Sequence, residues 1–263
     1  MNELMRRFES DYDNLYMLIS HKRAKNLEEK KMGDWINLFN GKNLNGWRSL
    51  IRKRRDDEIV DMISEEPIGW QVAGSVSLNS EDPRKFTIHP GEGILVNNQY
   101  EQAPNILTEI THGDCELHIE FAVPQGSNSG VYLMGKYEIQ ILDSWSRKEE
   151  KPSKFDCGAI YPRWINNKNV GGSPPRVNAS RPPGEWQSFD VIFHAPKFDG
   201  EGNKISNAIF EQVVWNGIVV QENVEVDGPT RAAMIGPERP RGPLMLQGDH
   251  GPVAFRNIRM REI

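Results

Sequence analysis

The chain has 263 residues, with 37% hydrophobic and 26% charged residues and a formal net charge of −5. This balance excludes an intrinsically disordered chain and leaves no basic excess for holding nucleic acid or an anionic membrane surface. The length exceeds that of a usual domain, but β-sandwiches reach it as one unit, so a single core with decorations is expected. Cys115 and Cys157 are the only cysteines, too few for a disulfide framework, and their apolar surroundings predict buried free thiols. No apolar run approaches the roughly 18 residues of a membrane-crossing helix, and the N-terminus lacks the apolar centre of a secretory signal. As written the chain is expected to be cytoplasmic, or periplasmic or secreted if a leader has been removed.

In residues 1–32, Leu4, Phe8, Tyr12, Leu15 and Ile19 recur at three- and four-residue steps among charged residues. That spacing predicts an amphipathic helical extension, packed on the main domain or forming a homo-oligomer contact. From Trp35 the rhythm changes to short apolar runs divided by Gly, Pro and Asn clusters, so 33–263 read as one all-β domain. Residues 51–66 (IRKRRDDEIVDMISEE) interrupt that rhythm as a charged insertion. We expect it to be helical, with its basic run a solvated face rather than a phosphate patch.

Further along, Cys115, Leu117, Ile119, Phe121 and Val123 alternate with Glu116, His118 and Glu120, the pattern of a strand buried on one face. Phe189, Val191 and Phe193 repeat it. Residues 171–175 and 181–184 are Gly- and Pro-rich and read as loops rimming a binding face. In VVWNGIVV (213–220) two β-prone runs flank an Asn-Gly pair, which predicts a type I′ hairpin.

The segment richest in chemistry is 128–145, NSGVYLMGKYEIQILDSW. If 137–142 is a strand, Glu138 and Gln140 leave one face while Tyr137, Ile139 and Ile141 leave the other, setting a carboxyl beside an amide about 6.6 Å apart at Cα. Alternation alone would make the pair merely solvent-facing. The aromatic neighbours Tyr132, Tyr137 and Trp145 favour a sugar site instead, because sugar rings offer apolar faces to aromatics and hydroxyls to polar groups.

Several strings carry a resemblance. WINLFNGKNLNGW (35–47), NSGVYLMGKYEIQILDS (128–144), CGAIY (157–161), PPGEWQSFDVIFHAP (182–196), WNGIVVQENV (215–224) and GPLMLQGDHGPVAFRNIR (242–259) occur in that order. Together they resemble the successive motifs of the 3-keto-disaccharide hydrolase family over about residues 34–263. The resemblance implies a concanavalin A-like jelly-roll β-sandwich acting on 3-oxidised glycosides. The leading helix and the charged insertion depart from the family pattern.

The strand around Glu138 is also similar to the acidic strand of laminarinase-like glucanases, where carboxylates alternate along one face. A double-displacement or inverting glycosidase needs two carboxyl groups flanking the bond. Here Gln140 and Leu142 take the alternate positions and Asp143 has the wrong parity. One carboxylate suits another route: a 3-ketone acidifies the C2 hydrogen and permits elimination of the C1 substituent, followed by hydration. Glu138 or His250 would be the general base, with Gln140, Asn128 or a bound cation holding the oxyanion.

Around them, Tyr132, Asp143, Trp145, Tyr161, Gln247, Asp249 and Arg256 are candidate substrate-binding residues, and Trp186 is a weaker one. No C-x-x-C or H-E-x-x-H spacing occurs, so no cofactor is required by sequence, although Glu, Asp and His gathered by the fold could hold a divalent cation. The expected partner is a small carbohydrate. The alternative to an enzyme is a noncatalytic lectin-like module, which needs hydrogen-bonding groups and aromatics but no base.

Overall fold

The computed structural model describes residues 33–55, 58–97, 103–147 and 150–263. The helical extension expected over 1–32 lies outside the described residues. The described residues form an all-β sandwich of jelly-roll type: two large antiparallel sheets, two small two-stranded ribbons (Arg163–Ile165 with Lys168–Val170, Lys197–Phe198 with Lys204–Ser206) and a short 3-10 turn at Trp145–Arg147. The larger sheet runs Ile218–Val226, Ala208–Trp215, Gln187–His194, Cys115–Ala122, Val253–Glu262, Phe86–Asn97 and Gln71–Leu78, with the short Ile36–Asn37 strand also pairing with Val253–Glu262. The smaller sheet runs Glu58–Ser64, Trp47–Arg55, Asn105–His112, Gly242–Leu246, Asn128–Leu133 and Tyr137–Leu142.

Strict alternation builds the core between them. Cys115, Leu117, Ile119 and Phe121 from the larger sheet meet Val131, Leu133, Tyr137, Ile139 and Ile141 from the smaller one. Aromatic side chains fill the middle: Phe121 and Phe189 lie 4.8 Å apart between ring centres, Phe193 and Phe210 5.1 Å. Such pairs contribute about 0.5–1.5 kcal/mol each beyond the area they bury. Both cysteines are buried and free, as their apolar surroundings imply; burial pushes the Cys157 thiol up to about 12, which removes it as a nucleophile.

The Asn-Gly hairpin is present. Ala208–Trp215 and Ile218–Val226 are joined by Asn216 and Gly217, both at positive φ, 52° and 82°, the combination a type I′ turn demands. The charged insertion is a correction: it is not helical. Trp47–Arg55 and Glu58–Ser64 pair antiparallel, with Leu50 opposite Ile63, Arg52 opposite Asp61 and Arg55 opposite Glu58. Cross-strand register brings the basic and acidic runs together, and the β-branched Ile51, Ile59, Val60 and Ile63 suit a pleated surface better than a helix. No helix among the described residues is long and apolar enough to cross a membrane.

Candidate functional site

The outward face of the smaller sheet is set by its register. Tyr132 pairs with Glu138, Gly130 with Gln140 and Asn128 with Leu142, while Met245 pairs with Tyr132 on the other side. Directly paired residues share a face, so Asn128, Gly130, Tyr132, Glu138, Gln140 and Met245 all point away from the core. Gln247 continues this row, its backbone N–H donating to Gly130 O at 3.0 Å.

This face does not lie open. Glu138 is only 2% exposed, Gln140 3%, and Tyr132 is fully covered. Tyr132 packs with Leu50, Leu107, Met234 and Met245 in a second apolar cluster on that face. Segment 158–161 runs beside the Glu138 strand, with Tyr161 N–H donating to Glu138 O at 3.0 Å and Gln140 N–H to Ala159 O at 2.9 Å. The loop around 230–236 closes the other flank: Glu138 N–H donates to Thr230 Oγ1 at 3.2 Å, and Lys136 Nζ donates to Met234 O at 2.5 Å and Gly236 O at 2.8 Å.

Desolvation therefore governs the carboxyl. Burial pushes Glu138 up to about 8, against a smaller opposing effect from a hydrogen bond with Tyr132, while the charge of Asp249 pushes the same way as burial. Among the described residues no cation pairs with it, so the neutral acid is the favoured form at neutral pH. The Tyr132 hydroxyl also lies 3.3 Å from Arg231 O. Gln140 is oriented with Nε2 donating to Glu138 Oε1 at 3.3 Å and to Ser129 O at 2.9 Å, because the opposite orientation would aim its oxygen at acceptors.

Gly130 has a steric role here. A Cβ at this position would stand 2.4 Å from Glu138 Oε1 and 3.1 Å from the Tyr132 ring, so the glycine makes the room in which the carboxyl rests. Beside it, Gln247 Oε1 is buried without a hydrogen-bond partner. An unpartnered buried acceptor is costly unless a ligand hydroxyl meets it.

Above this floor stands the 248–252 turn. Asn97 Nδ2 donates to Gly248 O at 2.8 Å, Gly248 N–H donates to Asn105 Oδ1 at 3.0 Å, and Ser127 Oγ donates to Pro252 O at 2.6 Å. The turn presents Asp249 and His250, whose Nδ1 lies 2.6 Å from Asp249 Oδ1. That carboxylate holds the imidazole above its ordinary value, leaving Nε2 free to face solvent or substrate. The Asp249 charge reaches Glu138, Tyr132 and Arg52.

The sequence-derived candidates divide accordingly. Glu138, Gln140, Tyr132, Gln247, Asn128, Asp249 and His250 come together. Tyr161 joins them at the rim: burial raises its pKa, and the charge of Glu138 adds to the effect. Asp143 instead braces a loop, its carboxylate accepting Gly126 N–H at 2.9 Å and Trp145 N–H at 3.2 Å. Trp145 is an exposed residue of the 3-10 turn that follows. Arg256 is a correction: it projects from the larger sheet, where it meets Glu120 at 2.6 Å and stacks over Trp186 at 4.1 Å. It and Glu138 point away from the shared core on opposite sheets, so it cannot share a ligand with Glu138.

Sequence reasoning missed three residues. Gly130 was detectable, since a glycine inside a strand pattern marks a close approach. Thr230 and Arg231 lie in an irregular loop that carries no periodicity; the Arg231 guanidinium lies over the Trp164 ring at 4.2 Å and its charge reaches Tyr161 and His250. Among the described residues no group of three or more His, Cys, Asp or Glu is arranged to hold a metal ion.

Residues 34–261 match the family described as the 3-keto-alpha-glucoside-1,2-lyase-like domain. Among solved structures, a "putative glycosyl hydrolase" of Parabacteroides distasonis is 28% identical with a TM-score of 0.57, the alignment covering 88% of this chain and 84% of that one. Two others from the same organism, described in the same words, are 22% and 17% identical with TM-scores of 0.53 and 0.52. They cover 88% and 87% of this chain and 100% and 94% of theirs, and they share its fold. A comparison with curated proteins gave no match.

Proposed function

The chain belongs to the 3-keto-alpha-glucoside-1,2-lyase-like family, and from that premise we propose that it is a carbohydrate-active enzyme that breaks the C1–O bond of a 3-keto-glycoside by elimination. The observation that carries this reading is the Glu138 carboxyl, buried beside Tyr132 and favouring its protonated form up to about pH 8. A buried neutral acid with a neighbouring tyrosine is suited to donate hydrogen bonds to an oxygen gaining negative charge. It is poorly suited to be the anionic nucleophile of a retaining glycosidase.

In this reading the sugar's ketone oxygen lies against Glu138, and His250, oriented by Asp249, takes the C2 proton through Nε2. The electrons of the C2–H bond move into an enolate whose oxygen is held by the Glu138 proton. Collapse of the enolate forms the C1–C2 double bond and expels the C1 substituent, whose oxygen takes the proton back from the imidazolium. The products are an alcohol and an unsaturated 3-keto sugar, to which water can add. Gln247 Oε1 accepts from a sugar hydroxyl, and Tyr161 lines the rim against the ring. In this route the Glu138 proton stabilises the enolate oxygen, the role a bound divalent cation would otherwise fill.

The test is to incubate the purified protein with a glucoside and with its 3-keto counterpart and to follow the released alcohol. Release from the 3-keto form alone, with exchange of the C2 hydrogen for solvent deuterium, is the expected result. Cleavage of the plain glycoside at a similar rate would overturn the elimination route, and binding without cleavage of either would return the lectin-like reading.

A further inference from the structure

Arg52 belongs to the charged hairpin of Trp47–Arg55 and Glu58–Ser64, and its side chain is committed to the loop that flanks Glu138. Nε and one terminal nitrogen meet the two oxygens of Asp61 at 2.7 and 2.9 Å. The same guanidinium donates to Ala232 O at 3.2 Å and Ala233 O at 2.7 Å. Asp61 Oδ2 also accepts Ile235 N–H at 2.8 Å, so both halves of the ion pair grip one four-residue stretch, 232–235. Within that stretch Ala232 sits at φ 63°, a left-handed conformation that a non-glycine residue adopts only when its surroundings hold it there. The adjoining carbonyl, Arg231 O, accepts from the Tyr132 hydroxyl at 3.3 Å, and Tyr132 is the direct cross-strand partner of Glu138.

We infer that Arg52 is a positioning residue for the Glu138 site: by clamping the carbonyls of Ala232 and Ala233 it fixes the loop whose Arg231 carbonyl accepts the Tyr132 hydroxyl and so sets that hydroxyl beside the acid. The inference rests on the elimination reading above for its kinetic consequence, but not for its geometry. Lysine cannot reproduce the contact, because a single ammonium cannot span a carboxylate in fork geometry and two carbonyls at once.

The experiment is a double-mutant cycle of Arg52→Met with Tyr132→Phe, read in two ways. The first readout is kcat/KM on a 3-keto-glycoside. Arg52→Met should lower it about tenfold, as small misplacements at a site do, and Arg52→Lys should recover only part of the loss. In the Tyr132→Phe background the same change should cost less than about twofold, since the path it acts through is already cut.

The second readout is the titration of the Glu138 carboxyl by difference infrared spectroscopy, with Glu138→Gln as the blank. Tyr132 holds the Glu138 carboxyl down against the larger effect of burial, so Tyr132→Phe should move the titration upward, and Arg52→Met, which frees the hydroxyl from its carbonyl, should move it away from the parent value. Equal losses in both backgrounds, a Lys variant as active as the parent, or an unmoved titration would each overturn the assignment. If the parent protein cleaves no 3-keto-glycoside, the proposed function fails and the titration alone decides the role of Arg52. Should Arg52→Met not fold, Arg52→Lys and Asp61→Asn carry the same cycle.

Discussion

The two outward faces of the sandwich are laid down by the same alternation of residues. On the larger sheet Glu116 meets Arg261 at 2.7 Å, Glu120 meets Arg256 at 2.6 Å and His118 meets Asp190 at 2.6 Å, all at side chains in partial contact with solvent. On the smaller sheet Glu138 and Gln140 leave their strand with the same period, yet Glu138 meets a tyrosine and an amide and is roofed by loops. The first arrangement spends its charges on each other, and exposed pairs of that kind are worth about 0–1 kcal/mol. The second leaves a carboxyl unpaired and dry, which is costly for folding and useful for chemistry. Desolvation by the loops, rather than residue type, separates a solvated face from a candidate site.

His250→Ala is the sharpest way to test that contrast. Losing the proposed base should lower kcat/KM on a 3-keto-glycoside by about 10²–10⁴-fold without moving the thermal midpoint, measured by steady-state kinetics and calorimetry. A change under tenfold would remove His250 from the reaction.

Next in size are two substitutions at Glu138. Alanine removes the oxyanion donor and should cost about 10²–10³-fold, whereas glutamine keeps a neutral donor and should cost about tenfold or less. The parent should show a bell-shaped kcat/KM against pH, rising as His250 loses its proton at a pKa above its ordinary 6.5 and falling as Glu138 ionises near pH 8. Glu138→Gln should keep the rising limb and lose the falling one. If glutamine were as damaging as alanine, Glu138 would be acting as a base instead.

A smaller effect concerns stability. Between the ordinary carboxyl value of 4.5 and the native value of about 8, the folded protein holds a proton at Glu138 that the unfolded chain has released. This group's contribution is therefore present at low pH and is lost as pH rises through that window. Relative to the parent, Glu138→Gln should gain stability from pH 5 to pH 8, by up to about 4 kcal/mol, measured by urea unfolding at each pH. A constant difference would mean that the carboxyl is not desolvated.

The smallest effect belongs to the opposite face. Arg256→Ala should shift stability by about 1 kcal/mol or less and leave kcat/KM unchanged. A loss of turnover would break the distinction between the faces.

The same contrast shows how far the chain could be read in advance. The alternation at 115–123, the Asn216-Gly217 turn and the split of Glu138 and Gln140 from Ile139 and Ile141 are local properties, carried by the two-residue period of a strand and by tolerance of positive φ. They were legible before folding. The charged stretch was misread because its basic and acidic residues neutralise each other across a hairpin, a relation between strands that linear spacing cannot express. Arg256 was placed with the wrong partners for the same reason: its period gave a face, but not which sheet.

By itself the sequence determined a β-sandwich, its core-facing residues, and the strand that carries one carboxyl where double displacement needs two. Those follow from periodicity and turn chemistry, which act over a few residues. Only the tertiary structure decided that Glu138 is buried beneath the 230–236 loop, that Gln247 Oε1 lacks a partner, and that Arg52 and Asp61 hold the loop in place. Each of these depends on segments some 90 to 180 residues apart excluding water from one another, and desolvation is a property of the assembled surface rather than of any stretch of chain.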